Sequence, residues 1–263
     1  MIQCNGVVIK ANHFPDGTLM YDKSIKDVLS YTSARIEWQF ENTEEQVILW
    51  DLVNYLQDHG YEQIRLFMPY IPNARMDRVK SDEDVFTLKY FSRFINMLKF
   101  VGVDVVDPHS YVSEALIHRI KVINPQPYIM SAMEDCTPDM LFFPDEGAMK
   151  RYSGMMHTEC AFGIKRRDWA TGKIEGLDVA GCTDKINGSR ILIVDDICSR
   201  GGTFYHSAKK LKELGAREVY LYVTHCENTI LEGELLTSGL IERVYTTNSI
   251  FTKEHEKIEV FGV

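Results

Sequence analysis

At 263 residues, with 45% apolar and 25% charged residues, the chain is long enough for two domains of ordinary size, each with its own core. Its formal charge of −9 excludes nucleic acid as the main partner, since a polyanion requires a basic face, yet leaves room for a small phosphorylated ligand held by a local cluster of cations. No apolar run approaches the roughly 18 residues of a membrane span, and six scattered cysteines without a Cys-x-x-Cys pair point to reduced thiols in a cytoplasmic protein.

Residues 2–9 read as a first strand, and His13 to Thr18, punctuated by Pro15 and Gly17, as a turn. Arg35 to Phe40 is expected to be a strand and Thr43 to Gly60 a helix, with Thr43 and Gln46 as a capping box and Val47, Leu49, Leu52, Val53 and Leu56 facing inward. Ile64 to Met68 is a short buried strand that runs into a loop, residues 69–78, with two prolines and two arginines. Phe86 to Phe100 follows as an amphipathic helix, and Val103 to Val106 as a strand ending in Asp107-Pro108-His109-Ser110. Pro125 and Pro127 mark the domain boundary, giving domains of 1–124 and 125–263.

Beyond the boundary the pattern restarts. Leu141 to Phe143 is a strand that ends in the segment Pro144 to Arg151, and Cys160 to Ile164 is another that leads into Lys165-Arg166-Arg167. A polar stretch containing Gly172, Lys173, Gly176 and Gly181 then runs to Gly188 and reads as a mobile basic loop. Ile191 to Val194 is a strand buried on both faces, followed by Asp195 and Asp196 where it should end, a turn from Ser199 to Thr203, and a helix over 204–214 stopped by Gly215. Glu218 to Thr224 and Ile241 to Thr246 are the last strands, the final one with the option of packing back on the first domain. Strands alternating with helices in both halves predict an α/β protein with two doubly wound domains, whose ligands bind at the strand carboxyl ends.

Chemistry-bearing residues recur at those ends. The Gly-Gly-Thr turn after Asp195 and Asp196 offers backbone N–H groups and a helix N-terminus to a phosphate, and the paired carboxylates suit ribose hydroxyls or Mg²⁺. The plainer alternative is a strand-to-helix turn whose Asp residues only cap the helix. Arg75 and Arg78 could clamp phosphate oxygens, or belong to a solvated loop. Phe14 and Asp16 offer an aromatic face and a carboxylate on one turn, or an ordinary turn over a core Phe. His109 is either a ligand or a structural imidazole; Asp145, with Lys150 and Arg151 nearby, is either an anion or Mg²⁺ site or a helix cap. Lys165 and Arg167 suit a lid over a phosphate site, or a solvated charge run.

In this order the motifs resemble those of ribose-phosphate pyrophosphokinases, the PRPP synthetases, over nearly the whole chain. Phe14-Pro15-Asp16-Gly17 is similar to the family's first ATP-contacting turn, and Ala74-Arg75-Met76-Asp77-Arg78 to its Ala-Arg-Gln-Asp-Arg loop. Asp107 to Ser110 matches Asp-Leu-His-Ala, Asp145 to Arg151 the pyrophosphate loop, Lys165 and Arg167 the Lys-x-Arg of the catalytic flexible loop, and Asp195 to Thr203 the ribose 5-phosphate loop. The resemblance implies two tandem type I phosphoribosyltransferase-like domains, each a mostly parallel sheet flanked by helices. It implies ATP at Phe14, Asp16, Gly17, Thr18, Arg75, Met76, Asp77 and Arg78, with Mg²⁺ at His109 and Asp145. Ribose 5-phosphate falls to Asp195, Asp196, Ser199, Arg200, Gly201, Gly202 and Thr203, and catalysis to Lys165, Arg167 and His109. The implied activity is pyrophosphate transfer from MgATP to ribose 5-phosphate in a cytoplasmic homo-oligomer. The alternatives are a PRPP-consuming phosphoribosyltransferase and a non-catalytic regulatory relative. Thr18 stands where the family has Glu, Met76 where it has Gln, and Ser199-Arg200 where it has Asp-Thr.

Overall fold

The computed structural model describes residues 1–30, 33–167 and 174–263, with residues 165–167 and 174–175 described by backbone alone. It divides into two units, Met1–Ile123 and Asn124–Val263.

Period-two alternation builds the first sheet. In the strand Ala34–Trp38, Ala34, Ile36 and Trp38 are buried while Arg35 and Glu37 face the other way. The elements of this unit are β1 Ile2–Cys4, β2 Val7–Val8, β3 Ala11–His13, β4 Leu19–Tyr21, α1 Ser24–Asp27, β5 Ala34–Trp38, α2 Glu45–Asp58, β6 Ile64–Phe67, α3 Thr87–Met97, β7 Gly102–Val106, α4 Tyr111–Leu116 and β8 Ile120–Ile123. The sheet order is β2-β1-β5-β6-β7-β8, parallel from β5 to β8 with β1 antiparallel to both its neighbours. One apolar cluster packs its inner face against Leu49, Leu52, Val53 and Leu56 of α2 and Leu88, Phe91 and Ile95 of α3. The opposite face carries Arg65, whose guanidinium holds Asp104 of β7 by Nε–Oδ2 at 2.6 Å and Nη2–Oδ1 at 2.5 Å.

The expected first strand is instead a hairpin, β1 and β2, turning at Asn5-Gly6 with φ of 49° and 83°. Both central residues take left-handed backbone, as a tight hairpin of matching twist requires. The capping box is not formed. Glu44 precedes α2 without a side-chain cap, the Thr43 carbonyl accepts from Gln46 N at 3.1 Å, and Val47 is 51% exposed while Ile48 takes the inward place.

The second unit comprises α5 Gln126–Cys136, β9 Met140–Phe143, α6 Glu146–Tyr152, β10 Cys160–Arg167, β11 Ile174–Gly181, β12 Arg190–Cys198, α7 Gly202–Glu213, β13 Glu218–Cys226, β14 Val244–Thr247 and β15 Ile258–Phe261. Its sheet runs β11-β10-β9-β12-β13-β14-β15, all parallel except β11. Both faces are apolar. Ile191 and Ile193 pack with Phe204, Ala208 and Leu211 of α7, while Leu192 and Val194 pack with Ile129 and Ala132 of α5 and Tyr152 of α6. That double burial explains the unbroken apolar run of β12.

Two expectations are corrected here. Residues 174–181 of the supposed mobile stretch form β11, paired from Ala161↔Gly181 to Arg167↔Ile174; Gly172 and Lys173 lie outside the described residues. β12 does not stop at Val194 but continues through both carboxylates to Cys198, because β13 stays paired with it as far as Cys198↔Cys226. The closing strand β15 pairs with β14 (Val244↔Ile258). Among the described residues, no helix is long and apolar enough to cross a membrane.

Candidate functional site

In the first unit the candidate residues gather where strands end. The turn Phe14 to Thr18 joins β3 to β4, closed by Phe14 N to Thr18 O at 2.8 Å and Gly17 N to Phe14 O at 2.9 Å. One oxygen of Asp16 accepts from Thr18 N at 3.0 Å and Thr18 Oγ1 at 2.7 Å, and these two bonds hold its carboxyl below the usual carboxylate range. Phe14 is 48% exposed, so its ring is offered to solvent and is not part of the core.

The loop after β6 and the loop after β7 meet. Val106 N donates to Pro69 O at 3.1 Å, and Asp77, buried at the bottom of the Arg loop, interacts with Ser110 and His109 of the other. Asp77 also takes the fork of Arg78, Nε to Oδ1 at 2.7 Å and Nη2 to Oδ2 at 3.0 Å. Arg78 foremost, then Ser110 and His109, lower the carboxyl's pKa against the opposing effect of burial. Arg75, Met76 and Arg78 lie exposed on the loop, with the Arg78 guanidinium bonded to Asp77. Asp107, just before Pro108, sits at φ 41°, a costly left-handed backbone that turns the chain sharply before His109.

In the second unit the sheet sets three carboxylates near one another. Asp145 follows β9 and caps α6 by accepting from Ala148 N at 3.1 Å, so the capping alternative is realised. Asp195 and Asp196 stand near the end of the neighbouring β12. Burial first, then the charges of Asp196 and Asp145, push the Asp195 carboxyl well above the carboxylate range. Among the described residues, Arg151 of α6 is bonded to this group, with Nη1 at 3.1 Å from Asp196 Oδ2. An all-oxygen, acidic set of this kind suits a hard divalent cation, yet among the described residues no group of three or more His, Cys, Asp or Glu is assembled to hold a metal.

Beyond Cys198 the chain turns through Ser199 and Arg200 to Gly201, whose φ of 82° places it in left-handed backbone at the N-cap of α7. Gly202 and Thr203 open the helix and are exposed, so the first-turn N–H groups face solvent at the positive end of the helix dipole. The backbone of Lys165 and Arg167 lies in β10; their side chains fall outside the described residues, as does the segment 168–173. His109 belongs to the first unit and Asp145 to the second. Sequence reasoning missed the Arg151–Asp196 pair, 45 residues apart, and the turn at Asn228–Glu232 that backs the Gly-rich loop; only Gly233 signals that turn locally.

No protein-family model matches the chain. Among curated proteins it is 29% identical to the ribose-phosphate pyrophosphokinase of Pyrococcus abyssi, over 84% of this chain and 76% of that protein. It is 26% identical to that of Thermococcus kodakarensis, over 93% and 86%, and 23% identical to that of Sulfolobus acidocaldarius, over 97% and 89%. Among solved structures, phosphoribosylpyrophosphate synthetase from Mycobacterium smegmatis superposes with a TM-score of 0.78 at 16% identity, covering 97% of this chain and 86% of that one. That likeness gives the fold: two α/β units of the type I phosphoribosyltransferase kind. The similarity to ribose-phosphate pyrophosphokinases covers between 84% and 97% of this chain in these three relatives.

Proposed function

We propose that this chain is a ribose-phosphate diphosphokinase, transferring the β,γ-pyrophosphoryl group of MgATP to the 1-hydroxyl of ribose 5-phosphate to give PRPP and AMP. The observation that carries the reading is the reach of the curated likeness across both units, up to 97% of the chain. A transferase that only consumed PRPP would account for the loop after β12 and leave the Arg75 and His109 loops of the first unit without a purpose.

The 5-phosphate is held by backbone N–H groups of Ser199 to Thr203 and the N-terminus of α7. Asp195 and Asp196 bind the ribose hydroxyls. Phe14 and Asp16 contact the adenosine, with Gly17 and Thr18 shaping that turn, while Arg75 and Arg78 orient the triphosphate beside Met76 and Asp77. Mg²⁺ would be held by His109 on the nucleotide side and by Asp145 with the paired aspartates on the sugar side, and would there neutralise charge on the phosphate oxygens. Lys165 and Arg167 stabilise the charge that develops at the β-phosphorus during in-line displacement. The reaction uses cytoplasmic metabolites, and the resemblance implies a homo-oligomer. Incubation with ATP, Mg²⁺ and ribose 5-phosphate, followed by phosphorus NMR, tests the reading. AMP and PRPP appear together only when the sugar phosphate is present. Absence of ATP consumption refutes the synthetase, and loss of added PRPP in the presence of a nucleobase points to a transferase.

A further inference from the structure

Ser199 and Arg200 are the two positions where the Gly-rich loop departs from the family pattern, and both lean on a second segment. Ser199 Oγ lies 3.2 Å from Thr229 Oγ1, which donates to Glu227 Oε2 at 3.3 Å. Arg200 Nη2 donates to Glu232 Oε2 at 2.8 Å. Glu227 N donates to Cys198 O at 2.8 Å, pinning the root of that segment to the root of the loop. The closest approach is made by the backbone. A Cβ added to Gly233 would sit 1.9 Å from the Arg200 carbonyl oxygen, although Gly233 has an ordinary φ of −92°. Glycine is therefore required there for proximity, and conformational freedom plays no part.

The segment is itself anchored from behind. Ile230 and Leu235 are fully buried in the second unit's core, and Asn228 exchanges two hydrogen bonds with Thr252, at 2.9 and 3.0 Å. Leu235 also closes on the other side of the loop, 2.9 Å from where a Cβ of Gly201 would lie. A loop with two adjacent glycines has a large backbone entropy to lose when it wraps a phosphate. A rigid support against its outer side removes much of that loss before the ligand arrives.

We infer that the turn Asn228–Gly233 is a positioning wall for the acceptor-phosphate loop, with Gly233 and Thr229 as its positioning residues for ribose 5-phosphate. The inference rests on assigning Ser199 to Thr203 to the 5-phosphate. Gly233→Ala pushes the Arg200 peptide outward and misaims the N–H groups beyond it. Steady-state kinetics should then show the KM for ribose 5-phosphate rising about tenfold or more, with the KM for ATP unchanged within about twofold. Thr229→Val, which removes the hydroxyl at nearly constant volume, should raise the same KM about threefold, and Thr229→Ser should restore it. A Gly233→Ala variant whose KM for ribose 5-phosphate stays within about twofold of wild type, or whose two KM values rise together, overturns the inference. Calorimetric titration of ribose 5-phosphate needs no turnover and separates this failure from failure of the functional reading. A wild-type chain that binds the sugar phosphate without consuming ATP overturns the synthetase, and the affinity ratio of Gly233→Ala to wild type then decides for or against the wall.

Discussion

Arg151→Met removes the cation bonded to Asp196 among the carboxylates of the second unit. Arg151 and Asp196 keep only 16% and 9% of their side-chain surface exposed, so solvent screens the pair poorly. At 3.1 Å and an effective dielectric of about 20, their attraction is about 5 kcal/mol, offset by the cost of dehydrating both ions. Met fills the space of the Arg stem, so the variant loses the charge 5.8 Å from the centre of the Tyr152 ring and little packing. What remains is a buried Asp196 carboxylate beside Asp195 without this cation, and removing one partner of such a pair typically costs 3–5 kcal/mol. We expect about 3 kcal/mol, equivalent to roughly 10 °C in Tm for a unit of this size. Urea titrations at neutral pH of wild type, Arg151→Met, Asp196→Asn and the double variant close a thermodynamic cycle. The double variant should recover about 2 kcal/mol of the summed single losses, because it leaves neither ion stranded. A loss below about 1 kcal/mol for Arg151→Met, or a coupling near zero, refutes the argument that Arg151 is what makes Asp196 tolerable there.

Asp145→Ser should separate the cap from the carboxylate. Serine still caps α6, so stability should change by less than about 1 kcal/mol, while the Mg²⁺ concentration for half-maximal rate should rise several-fold; a large loss of stability with unchanged Mg²⁺ dependence would reverse the assignment. Lys165→Ala should lower kcat on the order of 10²-fold, by analogy with a lost oxyanion donor, and full turnover would remove Lys165 from the reaction. The Arg65 guanidinium holds the Asp104 carboxyl below the usual range, so its contribution is present above the unfolded value of about 4 and is lost as pH falls through the folded value. Urea midpoints of wild type and Asp104→Asn should therefore differ at pH 7 and converge on acidification; a gap independent of pH would show that the ion pair does not titrate with folding.

Where a signal is local, the sequence is explicit about this protein. The apolar run of β12, the stripe Phe204, Ala208, Leu211 on α7 and the loops after β6 and β7 that bear Arg75 and His109 follow from spacing alone. Where a neighbour decides, it is silent. β11, with Glu175, Gly176 and Asp178, has no strand pattern of its own and exists because β10 lies beside it. Asp195 and Asp196 look like a strand's end, but β13 keeps them in register. Pro125 and Pro127 read as breakers, yet proline fits the first turn of a helix, where α5 begins and no N–H is needed. The engagement of Arg78 by Asp77 and of Arg151 by Asp196 depends on rotamers and on folded-chain distances that no motif encodes.

One consequence concerns the strand that bears Lys165 and Arg167. Among the described residues, β10 pairs with β9 from Cys160 to Phe162, and beyond that point with β11 alone. The outer half of the hairpin is thus a two-stranded ribbon cantilevered from the sheet, and an isolated ribbon of that kind is only marginally stable. Its pivot is Gly163, where a Cβ would lie 2.7 Å from the Pro144 carbonyl oxygen, immediately ahead of Asp145. The arm and the acidic loop thus share a bearing surface. Amide exchange should quicken step by step from Phe162 outward, and a bulkier residue at the bearing would tilt the arm and the Asp145 turn together.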